Sequence, residues 1–409
     1  MIFKINLEKI KVFLIFCVGF FITWGANFEE VGGYPPLYLI ISTFILALFL
    51  FSTGISIPLA FRLFILFFLI HITITVMIFG GDYLFIKHIQ PRSIDPGSVY
   101  LISEYNIRLI EKILFLIFFF IVLSSIINKR REWLVLANSF IVGLGIVCLL
   151  KLKFAISVLP DIRFAGAYDD PNAFGITTCV AFFLSLLLFD YARNFILKSA
   201  YITASIFFFI MLLLSQSRGA LVALFFAFFL MLKEKKFQVY KLLVLMVIIF
   251  LVIILFLKSL IPQRFITPES WAEDRGSHRL DIWAIYLSNI RSFFLTGVGF
   301  LRGEDVISTG ILGREFIPHN VFLEMLVEFG IAGLFLFCFA LRKLWISLKY
   351  FPKNSPCSPA LKAIFVSWII GAFFINSFIH RETWFVLALI VTAHVFYNDP
   401  KHQYKKEGL

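Results

Sequence analysis

Pro318-His319-Asn320-Val321-Phe322-Leu323-Glu324-Met325-Leu326 closes a polar stretch and opens an apolar block that runs to 341. Blocks of this kind, close to the ~20 residues a helix needs to cross hydrocarbon, recur along the chain. Sixty per cent of the 409 residues are apolar, 54 are Phe, and only 15% are charged, against about 25% charged residues in a soluble domain. No soluble core could hide so many phenylalanines. A backbone in lipid must satisfy its hydrogen bonds internally, and the blocks lack β-barrel alternation. The expectation is an all-α polytopic membrane protein.

Working outward from 318, twelve transmembrane spans can be drawn: 10–27, 35–52, 57–79, 108–127, 133–152, 173–191, 199–215, 218–232, 239–258, 319–341, 360–379 and 382–398. The domain reading is nine spans with short loops in 1–258, one large loop at 259–318, three spans in 319–398 and a polar tail at 399–409. Lys4, Lys9 and Lys11 precede the first apolar run, Val12 to Trp24, with no convincing small-residue cleavage site after it. A retained first helix is expected. The five cysteines are scattered singly, without metal or redox spacing.

The net charge of +12 lies in short loops between apolar blocks, which argues for membrane orientation rather than nucleic acid. With the amino terminus inside, the inner segments hold 21 of the 37 Lys and Arg residues, and twelve spans return the carboxyl terminus to the same side. The other side receives 153–172, the tight turn 215–219, the loop 259–318 and the turn 380–381. The large loop carries Arg264, Arg275, Arg279, Arg291, Arg302 and Arg314 and no lysine. Arginine presents a planar, permanently charged fork to phosphate and carboxylate, whereas lysine is a hydrated point charge. Within this loop Ser277 to Arg291 reads as an amphipathic helix with Ser277 as its N-cap, ended by Gly297-Val298-Gly299.

Four places hold residues suited to chemistry. Ser215-Gln216-Ser217-Arg218-Gly219 forces Arg218 to the membrane boundary, as an anchor or as an anion ligand facing a cavity. Arg279, with Arg275 one turn earlier, offers the same choice between a solvated face and a ligand. His319 ends the arginine-rich loop, and imidazole accepts a proton near neutral pH. Asn320, Glu324 and Glu328 follow at i, i+4 and i+8, so both glutamates should face protein or a water-filled cavity. Arg163 to Asn172 ends in Asp170-Pro171-Asn172, a turn and helix start. His380-Arg381-Glu382 reads as a boundary anchor. The chain has no Asp-x-Asp, His-Glu-x-x-His, P-loop or Gly-x-Ser-x-Gly.

Leu214 to Ala220, Gly276 to Trp283, Pro318-His319-Asn320 and Glu328-Phe329-Gly330-Ile331-Ala332-Gly333 together resemble the signatures of the bacterial O-antigen ligase and polymerase superfamily. Gly166 to Asn172 is similar to a further, weaker element. The resemblance implies a membrane-embedded, GT-C-like glycosyltransferase of the inner membrane, independent of metal and cofactor, working on the periplasmic face. Its donor would be a glycan on undecaprenyl pyrophosphate, and the ligase acceptor a sugar hydroxyl of lipid A–core. Carried over, Arg218 and Arg279 stand where arginines meet the pyrophosphate, and His319 where the general base stands. Arg163, Arg275, Arg291, Asn172 and Asn320 are expected as further substrate contacts. A ligase is the expected member, with an O-antigen or exopolysaccharide polymerase as the close alternative. A lipid-linked glycan transporter would instead place its charges mid-membrane in repeated halves; Arg62, His71, Asp190, Glu324 and Glu328 are the candidates, and no matching half is evident.

Overall fold

The computed structural model describes residues 7–24, 37–84, 99–158, 163–166, 168, 170–234, 279–300, 318–351, 357–375, 378 and 380–396. The described elements are helical, with no strand among the described residues. In chain order they are α1 (Leu7–Phe21), α2 (Leu37–Ala47), α3 (Leu50–Thr53), α4 (Leu59–Leu84), α5 (Val99–Ile126), α6 (Arg130–Val158), α7 (Pro171–Tyr191), α8 (Phe195–Leu214), α9 (Arg218–Glu234), α10 (Arg279–Ser288), α11 (Val321–Lys349), α12 (Ser358–Ala372) and α13 (Arg381–Thr392). A helix covers the body of each expected span except 239–258, which lies outside the described residues. Among the described residues, six helices are long and apolar enough to cross a membrane: α4, α5, α6, α7, α8 and α11. Phe195, Phe335 and Met77 on these helices, and Phe225 and Phe229 on α9, are exposed, as expected of a multi-pass membrane protein whose solvent on that side is lipid.

The core sits around α7, which touches α6, α8, α9 and α12 and is buried almost along its whole length. Its polar side chains turn inward on the helix itself. Thr177, Thr178 and Ser185 donate to the carbonyls of Ala173, Gly175 and Ala181 at 2.8–2.9 Å, so no hydroxyl is left unsatisfied in an apolar setting. Gly175 lets the turn 215–220 come against α7; a Cβ there would meet Ser215, Ser217 and Ala220. Around this centre, α1 packs on α6 and α2, α4 on α11 and α5, and α13 on α5 and α12.

The end of the bundle where α6 and α8 begin is tied by charge. Lys11 meets Glu132 at 2.7 Å with both side chains buried. The second carboxylate oxygen of Glu132 accepts the backbone N–H groups of Asn128 and Lys129 at 2.9 and 3.1 Å. Arg130 stacks on Tyr191, 4.3 Å from the ring centre.

Two helices differ from the reading of the sequence. The amphipathic helix of the large loop is described from Arg279 and stops at Ser288, followed by a 3-10 turn at Ile290–Ser292; Ser277, its expected N-cap, lies outside the described residues. The other is α11, which is broken at Gly330 (φ 66°, ψ −171°). Gly297-Val298-Gly299 does not end α10 but docks into that break. Val298 N donates to Val327 O at 2.8 Å, Gly299 N to Glu328 O at 3.0 Å, and Ile331 N to Phe294 O at 2.7 Å. The loop thus satisfies the backbone groups that the break exposes. The Glu328 carbonyl is also 3.0 Å from His71 Nε2 of α4. Glycine is required on both sides, since a Cβ at 297 would strike Glu328 and one at 330 would strike Leu295.

Candidate functional site

The opposite end of the bundle gathers the starts of α7, α9, α11 and α13. Asp170 caps α7, its Oδ1 accepting from Asn172 N at 2.8 Å and from Asn172 Nδ2 at 2.9 Å, and Pro171 supplies the preset φ of the first helical position. Asn172 is a junction. Its Oδ1 accepts from Arg163 Nη2 at 2.7 Å and from Ser217 Oγ at 3.2 Å. Arg163 Nε donates in turn to Ser215 O at 3.1 Å.

The turn between α8 and α9 is held from both sides. Ser215 Oγ donates to Leu212 O at 2.6 Å, and Ser217 Oγ accepts from Ala220 N at 3.3 Å as the cap of α9. Gln216 between them has φ 54°, which is what lets the chain reverse so tightly. Arg218, half-buried, is then the first residue of α9. Its guanidinium and the positive end of that helix's dipole favour an anion at the same place.

His319 is positioned by two devices. Its backbone adopts φ 47°, a conformation rare outside glycine. Asn320 follows as the cap of α11, its Oδ1 accepting from Phe322 N and Leu323 N at 3.0 and 3.1 Å. Pro318 O accepts from Trp283 Nε1 at 2.8 Å, which fastens α10 to the segment carrying His319. Ile282, Tyr286 and Phe293 pack on Leu326 and Val327 beneath, so α10 lies along the first half of α11 with Arg279 at its leading end. Burial pulls the His319 imidazole below its ordinary value; the Arg279 charge lowers it further and the Asp170 carboxylate opposes this. Arg279, His319 and Asp170 therefore share one electrostatic neighbourhood, reached from 40 and 149 residues away in sequence. Arg218 follows Ser217, whose hydroxyl is linked to Asp170 through Asn172.

Not every expected residue is placed alike. Arg163 and Asn172 have polar atoms engaged in bracing the turn beside Arg218, and the Asn320 carbonyl oxygen is engaged in capping. Arg291 sits exposed in the 3-10 turn, roughly 18 Å along the helix direction from Arg279 at the usual rise. Arg275, with Arg264, Arg302 and Arg314, lies outside the described residues. Glu324 and Glu328 are buried, 5% and 6% exposed, inside protein as anticipated.

The turn at 380–382 differs from its reading as a boundary anchor. Glu382 is buried, and the Tyr168 phenol, pushed well above its ordinary value by burial and then by the Glu382 charge, lies beside it. His380 is lowered by burial, with Glu382 and Asp170 opposing. His380 and Glu382 line a small pocket with Thr177, Thr383 and Trp368. Sequence reasoning missed this contribution. The available signal was a His-Arg-Glu triplet heading an apolar block on the side that also holds His319. Among the described residues no group of three or more His, Cys, Asp or Glu side chains is arranged to hold a metal ion.

Residues 203–338, roughly a third of the chain, match a family model described as O-Antigen ligase. The match includes the turn before Arg218, all of α10 with Arg279, and His319 with the first part of α11. Asp170, Asn172 and the 380–382 turn lie outside it. No curated protein matches the chain.

Proposed function

From the match of residues 203–338 to a family model described as O-Antigen ligase, we propose that the chain belongs to the O-antigen ligase and polymerase superfamily and is a glycosyltransferase completing lipopolysaccharide. It takes a glycan from undecaprenyl pyrophosphate and joins it to a sugar hydroxyl of lipid A–core. The observation that carries this reading is His319, held in a left-handed backbone conformation beside Arg279. Burial and the Arg279 charge both lower the imidazole's value there, and Arg218 heads α9 after the braced turn at Ser215–Ser217.

In the proposed reaction the acceptor hydroxyl attacks the anomeric carbon while His319 takes its proton, a role typically worth 10²–10⁴-fold. The bond from that carbon to the pyrophosphate oxygen breaks, and its electron pair leaves with the pyrophosphate. Arg218 and Arg279 stabilise that developing charge with preset donors. Attack from the face opposite the leaving group inverts the anomeric configuration. Asp170 holds the charge balance around His319 and braces, through Asn172, the turn that presents Arg218.

The site faces the periplasm in this reading. Its support is the charge at the other end, where Lys11, Lys129, Arg130 and Arg193 gather, as the positive-inside rule requires of a cytoplasmic face. The protein in detergent, supplied with a defined lipid-linked glycan and lipid A–core, should release undecaprenyl pyrophosphate and form the joined lipid with inverted configuration. Transfer only onto a second lipid-linked repeat would make it a polymerase. A retained configuration would contradict the displacement.

A further inference from the structure

Among the described residues, positive φ falls on Gly54, Gly166, Gly297, Gly299 and Gly330, and otherwise only on Gln216 and His319. A side chain in that conformation carries a steric cost that glycine avoids, and such outliers concentrate where function needs them. His319 has its role in the proposed reaction. The φ of Gln216 serves the tight turn, but its side chain has no role so far.

The second observation is its side chain. Gln216 is only 4% exposed, and its Nε2 is buried without a hydrogen-bond partner in the protein. The main chain does not need that amide, because Gln216 N already donates to Leu213 O at 3.0 Å. The neighbouring polar groups are engaged: Ser215 O accepts from Arg163, and Ser217 Oγ donates to Asn172. A dry amide donor without an acceptor is costly to keep. Glycine at 216 would remove both that cost and the backbone strain, without loosening the turn.

We infer that Gln216 is a donor-binding residue whose side-chain amide gives an N–H hydrogen bond to a phosphate oxygen of the lipid-linked pyrophosphate. It adjoins Arg218 in the same turn, so a neutral donor and a cation address the same diphosphate. The inference rests on the proposed function and adds a contact to it. The side chain is kept unpaired so that the substrate, and nothing in the empty protein, completes it.

The test uses the full chain in detergent and undecaprenyl pyrophosphate without glycan as the binding probe. Gln216→Gly relieves the left-handed strain and should melt at or above the wild-type temperature. It should nevertheless bind the probe about tenfold more weakly, the scale of one lost hydrogen bond to a charged group. In transfer assays the same variant should raise the KM for the lipid-linked donor and leave that for the acceptor unchanged. Gln216→Ala, which keeps the strain, should bind as weakly as the glycine variant. Equal probe affinity in wild type and Gln216→Gly overturns the inference, and so does a raised donor KM with unchanged probe affinity, which would move the contact to the glycan. Absence of transfer by wild type would defeat the proposed function instead, and is read separately.

Discussion

Trp283 donates its indole N–H to the carbonyl oxygen of Pro318 at 2.8 Å, so the helix that starts with Arg279 is pinned to the residue preceding His319. The large loop and the membrane helix that follows it thereby act as one unit at the site. Trp283→Phe keeps most of the packing and removes only this bond, worth about 1 kcal/mol. Transfer by the variant should fall roughly fivefold with little change in melting temperature. Unaltered transfer would mean that the pin does not position the site.

The arginines should be separable from plain positive charge. Removing one preset donor from a site of this kind costs about 10²–10³-fold, and Arg218→Ala and Arg279→Ala should each fall in that range. Arg279→Lys keeps the charge but loses the fork, and should stay impaired by at least about tenfold. A fully active lysine variant would reduce Arg279 to a source of positive potential.

The acidity of His319 gives a prediction with a definite sign. Its value is depressed by burial and then by Arg279, so the neutral base persists below the usual imidazole value of about 6.5. The acid limb of the transfer rate should turn below that pH. Asp170 acts the other way, so Asp170→Asn, which preserves a capping side chain, should move the limb to still lower pH. Residual activity of Arg279→Ala should show the limb moved up. Shifts of opposite sign would detach His319 from the titration.

The clasp between the loop and the broken helix is testable by coupling. Gly297→Ala and Gly330→Ala each place a Cβ against the opposing backbone in a left-handed residue, with strain of about 1–2 kcal/mol at the backbone alone. Both should lower the melting temperature and transfer. Because they break one contact, the double variant should lose much less than the sum of the two. Additive losses would place the two glycines in separate structures.

At the other end of the bundle, Glu132→Ala leaves Lys11 buried without this partner and uncaps α6. Breaking such a pair costs about 3–5 kcal/mol. A large drop in thermal stability is expected, with transfer per folded molecule near wild type, since the pair is remote from His319.

Much of the architecture was readable because a lipid-facing chain has few options. Uninterrupted apolar blocks had to be helices, and α7 and α8 fall close to where the blocks lie. Arg218, Arg279 and His319 drew attention in the sequence for a similar reason, as charge at a membrane boundary calls for an explanation. What escaped was non-local. Gly330 looks like any glycine tolerated in an apolar helix, and only the docking of 294–299 sets its φ. The early stop of α10 comes from the turn at Asn289, whose side chain returns to Ile285 O at 3.0 Å. The pairing of Asn172 with Ser217 and Arg163 depends on how α7 meets α9, which no local pattern announces. Asp170 and Glu382 were passed over as cap and anchor, since nothing in their own neighbourhoods announces His319 or Tyr168.

The central claim is that His319 removes the acceptor's proton in a site where arginines hold the pyrophosphate. The most direct measurement is the single-turnover rate of glycan transfer by the purified protein, His319→Ala against wild type, with donor binding measured alongside. A loss of about 10²–10⁴-fold in the transfer step with donor affinity unchanged is predicted. A variant that transfers at the wild-type rate, or one that fails only because it no longer binds donor, would contradict the assignment.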